Sequence, residues 1–285
     1  MKELVVLSGK GGTGKTSVVA SFAALSKDKA LVDCDVDAAD LHLLLQPTAQ
    51  RSEEFWSGQT AVIDPELCTE CGLCQEICRY GAIDVPDIDP IACEGCAFCF
   101  NVCPDKAITM RENLAGHWFV SETKYGPLVH ARLGIAQENS GKLVTVVRQS
   151  ARALAQEQGL GYIISDGPPG IGCPVISSLS GANLALIVTE PTLSGMHDLD
   201  RVLGVCRHFG VPALVCINKF DINEENSRHI EKSCSDMGIA QVYKLPFDNV
   251  VTEALVHGLP VVEYSQDGIS RSIEELWHSV CRRLA

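Results

Sequence analysis

No apolar run in this chain of 285 residues reaches the roughly 18–20 residues of a membrane-crossing helix, so no stable membrane insertion is expected. The first apolar stretch, Glu3–Leu7, is broken at Ser8, Gly9 and Lys10, too short for the apolar region of a secretory signal. A cytoplasmic location is the expectation. Basic residues are also scarce: 23 Lys and Arg stand against 36 Asp and Glu, a formal charge of −13. Neutralising phosphates needs clustered Lys and Arg, so no nucleic-acid partner is expected, although a small basic pocket is not excluded. Charged residues make up 21% of the chain, an ordinary share that argues against disorder. What the sequence has in excess is cysteine, 14 in all. In a reducing compartment cysteines are more often metal ligands or catalytic groups than disulfides, and their spacing decides which.

The two ends of the chain share one grammar. Leu4–Ser8 is a short apolar run closed by a glycine-rich turn, and Thr16–Ser26 has helical periodicity. Ala30–Val32 reads as a second buried strand leading into Asp33-Cys34-Asp35. The pattern resumes with strand-like Leu160–Ser165, Leu184–Thr189 and Val211–Asn218, around helical Val144–Glu157 and Gly195–Phe209. Short apolar strands separated by helices predict an α/β, doubly wound, mostly parallel sheet covered on both faces.

Between about Ala61 and Arg111 the chain becomes turn-rich, acidic and loaded with cysteine, and it repeats itself. Ile63-Asp64-Pro65 recurs as Ile88-Asp89-Pro90. Cys68, Cys71, Cys74 and Cys78 recur as Cys93, Cys96, Cys99 and Cys103, and Ala82-Ile83 as Ala107-Ile108. Every match has an offset of 25 residues, so the segment is a tandem duplication inserted into the α/β pattern. Residues 117–133 read as a hairpin re-entering the main domain.

Gly9-Lys10-Gly11-Gly12-Thr13-Gly14-Lys15-Thr16 follows a strand and opens a helix, the context a phosphate-binding loop requires. Its glycines let backbone N–H groups surround phosphates at the positive end of the helix. Lys15 supplies a charge to the terminal phosphates, and the Thr16 hydroxyl can ligate Mg²⁺. The expected contacts to ATP or ADP run from Gly11 through Gly12, Thr13, Gly14, Lys15 and Thr16 to Ser17.

With its second lysine, Lys10, this loop resembles the deviant Walker A of the MinD/ParA family of P-loop ATPases, which includes the nitrogenase iron protein and iron–sulfur carrier ATPases. The resemblance covers about 1–58 and 113–285, assigned to one discontinuous ATPase domain. It implies that Lys10 reaches the nucleotide of a partner subunit, so that ATP binding makes a homodimer. It implies that Asp35 orients the attacking water, so that Lys10, Lys15 and Asp35 form the catalytic set. Asp166 takes the Walker B position serving Mg²⁺, which suits a carboxylate at a strand's C-terminal edge. Gly167-Pro168-Pro169-Gly170 resembles the switch segment that senses the γ-phosphate. Asn218 matches an adenine-recognition position, and Pro246-Phe247-Asp248 is placed against the same base. Asp33, Asp37 and Asp40 stay open between ordinary loop carboxylates and functional ones.

Each half of the insertion reads Cys-x₂-Cys-x₂-Cys-x₃-Cys, the run of two-cluster ferredoxins, in which the fourth cysteine ligates the other cluster. Residues 59–112 are accordingly assigned to an α+β ferredoxin-like domain with two [4Fe-4S] clusters. One is expected on Cys68, Cys71, Cys74 and Cys103, the other on Cys93, Cys96, Cys99 and Cys78. Pro104 follows the last cysteine as that pattern wants, whereas Arg79 stands in the matching place after Cys78. Paired Cys-x₂-Cys also suits tetrahedral zinc, but a third cysteine two residues further on, twice over, favours clusters. Cys34, Cys206, Cys216, Cys234 and Cys281 read as small buried or incidental residues. Cys173 lies seven residues past Asp166, where the nitrogenase iron protein has a cluster ligand. No second cysteine occurs between 113 and 165 to complete such a bridge, so a buried apolar role is expected there as well.

Three functions compete. The first is an ATP-driven redox protein in which the dimer's conformation gates electron transfer through two clusters to a redox partner protein. The second is an iron–sulfur assembly or carrier ATPase, weakened by the lack of a Cys-x₂-Cys pair near the C-terminus. The third is a MinD-like positioning ATPase with a redox sensor. A basic amphipathic tail would serve it, but Ile273–Leu284 offsets Arg282 and Arg283 with Glu274 and Glu275, which favours a helix docked on the sheet.

Overall fold

The computed structural model describes residues 1–134, 140–239, 241–266 and 268–285. In chain order the elements are β1 Lys2–Ser8, α1 Lys15–Leu25, β2 Lys29–Asp33, α2 Leu41–Leu45, β3 Thr48–Ile63, α3 Leu73–Ile77, β4 Ile83–Asp84 and β5 Asp87–Ile88. They continue with α4 Phe98–Val102, β6 Ile108–Thr123, β7 Gly126–Leu133, α5 Ser140–Glu157, β8 Tyr162–Pro169, α6 Cys173–Leu179, β9 Leu184–Thr189 and α7 Leu193–His208. The last are β10 Ala213–Asn218, α8 Glu224–Asp236, β11 Val242–Leu245, α9 Asn249–Val256, α10 Val261–Tyr264 and α11 Ile269–Leu284. Two compact units result. One comprises Met1–Glu53, Trp118–Arg132 and Ser140–Ala285, the other Glu54–His117 with Leu133–Asn139.

Among the described residues the main sheet runs β11-β10-β9-β1-β8-β2-β7-β6-β3. From β11 to β7 every neighbouring pair is parallel. Burial on both faces explains the unbroken apolar runs. Leu4 and Val6 of β1 enter one core with α1 and α11, while Val5 and Leu7 enter the other with α7 and α8. The reading of 117–133 as a hairpin is met by β6 and β7, joined at Lys124-Tyr125 and adjacent in the sheet.

The C-terminal helix is docked. Ile273, Leu276, Trp277, Val280 and Leu284 are buried, and the Trp277 ring lies 4.9 Å from that of Phe22 on α1. A membrane-binding arm would need that apolar face free. Among the described residues no helix is long and apolar enough to cross a membrane.

In the second unit the duplication is visible in the backbone. Left-handed residues pair across the 25-residue offset: Glu70 with Gly95, Gly72 with Ala97, and Gly81 with Lys106. The Cys68 N–H donates to the Asp64 carbonyl and the Cys93 N–H to the Asp89 carbonyl, both at 3.1 Å. The halves also exchange strands. Asp64 N donates to Ala107 O at 2.7 Å, and Asp89 N to Ala82 O at 2.8 Å. Each half's last segment, carrying its fourth cysteine, is thereby held against the other half's first. Ile63, Ile83 and Ile108 form a small core with Cys74 and Cys99.

Candidate functional site

The parallel strands deliver their C-terminal ends to one edge, the place where α/β sheets bind ligands. Asp33 and Asp166 face each other in register on β2 and β8, and β1 runs beside β8 into the glycine loop. Gly12 and Gly14 take left-handed angles of 79° and 86°, which side chains resist. Gly14 is required twice over, because a Cβ there would collide with the Asn218 side chain. Gly9 is required because α7 approaches with Asp198.

Lys15 opens α1 and is buried. Its Nζ donates to Asp166 Oδ1 at 2.6 Å and lies 3.9 Å from Asp35 Oδ2. Burial pulls the ammonium down, but Asp166 first, then Asp33 and Asp35, push it above its ordinary value. Asp35 goes the other way. Burial raises it to about 6, against the pull of Lys15 and with the push of Asp166. The expected roles of Lys15, Asp35 and Asp166 therefore fall on residues that meet.

Asp33 is more than a loop carboxylate. It ends β2, is wholly buried, and accepts from the N–H groups of Asp35 at 3.0 Å and Leu41 at 3.2 Å, fixing the turn that presents Asp35. Burial, then the nearby Asp166, pushes it well above the carboxylate range. Asp37 and Asp40 stay exposed.

The Asn218 side chain donates to Thr13 O at 2.8 Å, tying β10 to the loop. Thr13 Oγ1 is buried with no hydrogen-bond partner, a polar atom left over inside the loop. Thr16 and Ser17 follow Lys15 on the first turn of α1. Pro246 is half-buried, and Asp248 uses its carboxylate to cap α9, accepting from Val250 N at 3.0 Å. Lys10 is met by two residues that no sequence motif flagged. Its Nζ sits 3.2 Å from Glu190 Oε2 and 3.4 Å from Thr192 Oγ1.

Cys173 corrects the expectation of a buried cysteine. It opens α6 and is exposed, because the turn after Gly170 carries it beyond the end of β8. Cys34, Cys206, Cys216 and Cys234 are buried and Cys281 half-buried, as expected of them.

In the second unit eight cysteines line two cavities. One, of about 350 Å³, is lined by Cys78, Cys93, Cys96 and Cys99 with Arg79, Tyr80 and Phe98. The other, of about 20 Å³, is lined by Cys68, Cys71, Cys74 and Cys103. In each the fourth cysteine comes from the opposite half, a consequence of the strand exchange. Cys68 Sγ accepts from Glu70 N at 3.4 Å, and Cys103 Sγ from Ala107 N at 3.3 Å. Among the described residues no three His, Cys, Asp or Glu side chains converge to hold one metal ion.

The glycine loop, the strand-end carboxylates and the parallel sheet define a P-loop nucleotide-binding ATPase. The family model for the CobQ/CobB/MinD/ParA nucleotide binding domain matches residues 4–261, and the chain belongs to that family. It is 31% identical over 281 residues to the uncharacterized protein MJ0578 of Methanocaldococcus jannaschii, covering 98% of this chain and 96% of that one. The septum site-determining protein MinD of Bacillus subtilis is 24% identical over 269 residues, covering 90% and 81%. Among solved structures, MinD of Pyrococcus horikoshii complexed with Mg-ADP has a TM-score of 0.60 at 19% identity, covering 98% and 95%.

Proposed function

We propose that this protein is a MinD-like ATP-driven switch whose cysteine-rich unit carries two [4Fe-4S] clusters and senses or relays their electrons. The observation that carries the switch is the buried Lys15 held between Asp166 and Asp35 at the glycine loop. Its ammonium is already aimed at the carboxylates beside which the terminal phosphates and Mg²⁺ would sit. Thr16 and Asp166 would hold Mg²⁺, which normally takes only one or two protein ligands besides phosphate oxygens. Asp35, exposed enough to meet water, would orient the nucleophile. The adenine would lie against Asn218, Pro246 and Asp248.

The MinD relatives favour a positioning-type switch over the electron relay that the cysteine spacing suggests first. A sensor fitted to such a switch accommodates both. The relay remains a second reading, favoured by the two four-cysteine cavities. Cys68, Cys71, Cys74 and Cys103 would hold one cluster, and Cys93, Cys96, Cys99 and Cys78 the other. A four-iron cluster binds its thiolates on four different irons. The cavity of about 350 Å³ lined by Cys78, Cys93, Cys96 and Cys99 has room for one. The cavity of about 20 Å³ lined by Cys68, Cys71, Cys74 and Cys103 would have to widen to take the other. Bound clusters would supply one-electron chemistry. Tyr80 and Phe98, 52% and 61% exposed beside the larger cavity, offer a surface for a redox partner protein. The carrier reading gains nothing, since Cys234 is buried and Cys281 lies in a different core.

Substituting Asp35 with Ala should leave ATP binding largely intact and slow hydrolysis by about 10²-fold. With ATP that variant should sediment and scatter as a dimer, and adding Lys10→Ala should return it to monomer. Hydrolysis at the parent rate would show that Asp35 does not orient the water.

A further inference from the structure

Lys10 is held inside its own protomer. Glu190, between the end of β9 and the start of α7, receives Lys10 Nζ on Oε2 at 3.2 Å and Lys219 Nζ on Oε1 at 2.7 Å. Thr192, which caps α7 by accepting from Gly195 N, also accepts from Lys10. Glu190 is 14% exposed and Lys10 32%, so the pair is partly shielded from solvent. Burial alone would raise the carboxyl, but the hydrogen bonds from Lys219 and Lys10 outweigh it and hold Glu190 below its ordinary range. Lys219 follows Asn218, whose side chain binds the glycine loop at Thr13. One carboxylate thus joins the loop's first lysine to the strand end expected beside the base.

We infer that Glu190 is a positioning residue, a latch that retains Lys10 in the free protomer and sets how much ATP is needed to form the dimer. The inference rests on the reading of Lys10 as a residue that crosses to a partner. A lysine can reach the partner's phosphates only by leaving Glu190, so ATP must supply the better anion. Loss of the Glu190 charge lowers the cost of release. Loss of Lys219 does the opposite, because Glu190 then has one ammonium to hold instead of two. A residue that merely supports the fold would not produce shifts of opposite sign.

The test is an ATP titration followed by light scattering, in the full chain carrying Asp35→Ala so that ATP persists. Glu190→Gln should lower the half-dimerising ATP concentration about 5-fold, the effect of a partly shielded ion pair, and Glu190→Asp should restore most of the parental value. Lys219→Met should raise it, and it carries the test alone if Glu190→Gln does not fold. ADP affinity of the monomer, measured alongside, should stay within about 2-fold for Glu190→Gln, since ADP makes no demand on a transferred lysine. Parental midpoints in folded Glu190→Gln and Lys219→Met would overturn the latch while leaving the dimer reading standing. No ATP-dependent dimer in the parent or any variant would overturn both.

Discussion

Lys15→Ala should abolish measurable ATP binding and hydrolysis, with affinity falling by about 10²–10³-fold as two charge-assisted hydrogen bonds to phosphate are lost. Position matters as much as charge here. The side chain is 7% exposed and fixed at 2.6 Å on Asp166, so a lysine elsewhere on the loop cannot replace it. Lys10 points to Glu190. The same substitution should destabilise the free protein, because Asp33, Asp35 and Asp166 lose the ammonium they share. The pH dependence has a defined sign. Asp35 sits at about 6 in the folded chain against an ordinary 3.8, so folding favours its protonated form. Such a group supports stability fully below about 3.8, and that support is lost as pH rises through about 6. Removing Lys15 takes away its pull on Asp33 and Asp35 and raises both further. The drop in Tm relative to the parent should therefore be larger at pH 8 than at pH 5. Equal drops would mean that the carboxylates do not depend on Lys15.

Cys78→Ser should halve the iron of anaerobically prepared protein, from about eight to about four per chain, and the cluster lost should be that of Cys93, Cys96 and Cys99. The ferredoxin-type run expects this pairing, in which the fourth cysteine serves the other half's cluster, and Cys78 lines the cavity of Cys93, Cys96 and Cys99. Double substitutions separate the two pairings. Cys78→Ser with Cys93→Ser should retain about four irons, because both act on one cluster. Cys78→Ser with Cys68→Ser should retain almost none. The reverse pattern would mean that each cluster is held within its own half. Stoichiometric zinc with negligible sulfide in the parent would remove the clusters altogether.

Much of this was legible in the residues because strand order obliges it. The glycine loop that follows β1 marks Lys15, while Asp35 and Asp166 are named by the resemblance to the MinD/ParA family, and both lie beside the Lys15 ammonium. The docking of α11 was readable from the mixed charge that offsets its apolar stripe. What escaped was set by contacts distant in sequence. Glu3, which opens the first apolar run, is buried and accepts from Arg148 and from Arg152, at 2.6 Å, on α5. Nothing local marks that carboxylate as an anchor. Glu190 meets a lysine 180 positions away, and Asp33 was hidden because burial, not residue type, makes it unusual. Cys173 departs from its expected burial because an apolar cysteine and an exposed one at a helix start look alike in sequence.

On the proposed function, nucleotide state and cluster state are coupled. Coupling free energy is reciprocal, so a sensor, in which redox state changes nucleotide affinity, and a relay, in which nucleotide changes potential, must show the same quantity. The direct measurement is an EPR-monitored redox titration of anaerobic Asp35→Ala protein with ATP and with ADP. The midpoint potentials should differ by about 60 mV, equivalent to about 1.4 kcal/mol for a one-electron couple. Identical potentials with ATP, with ADP and without nucleotide would contradict it, leaving an ATPase and a cysteine-rich unit that merely share a chain.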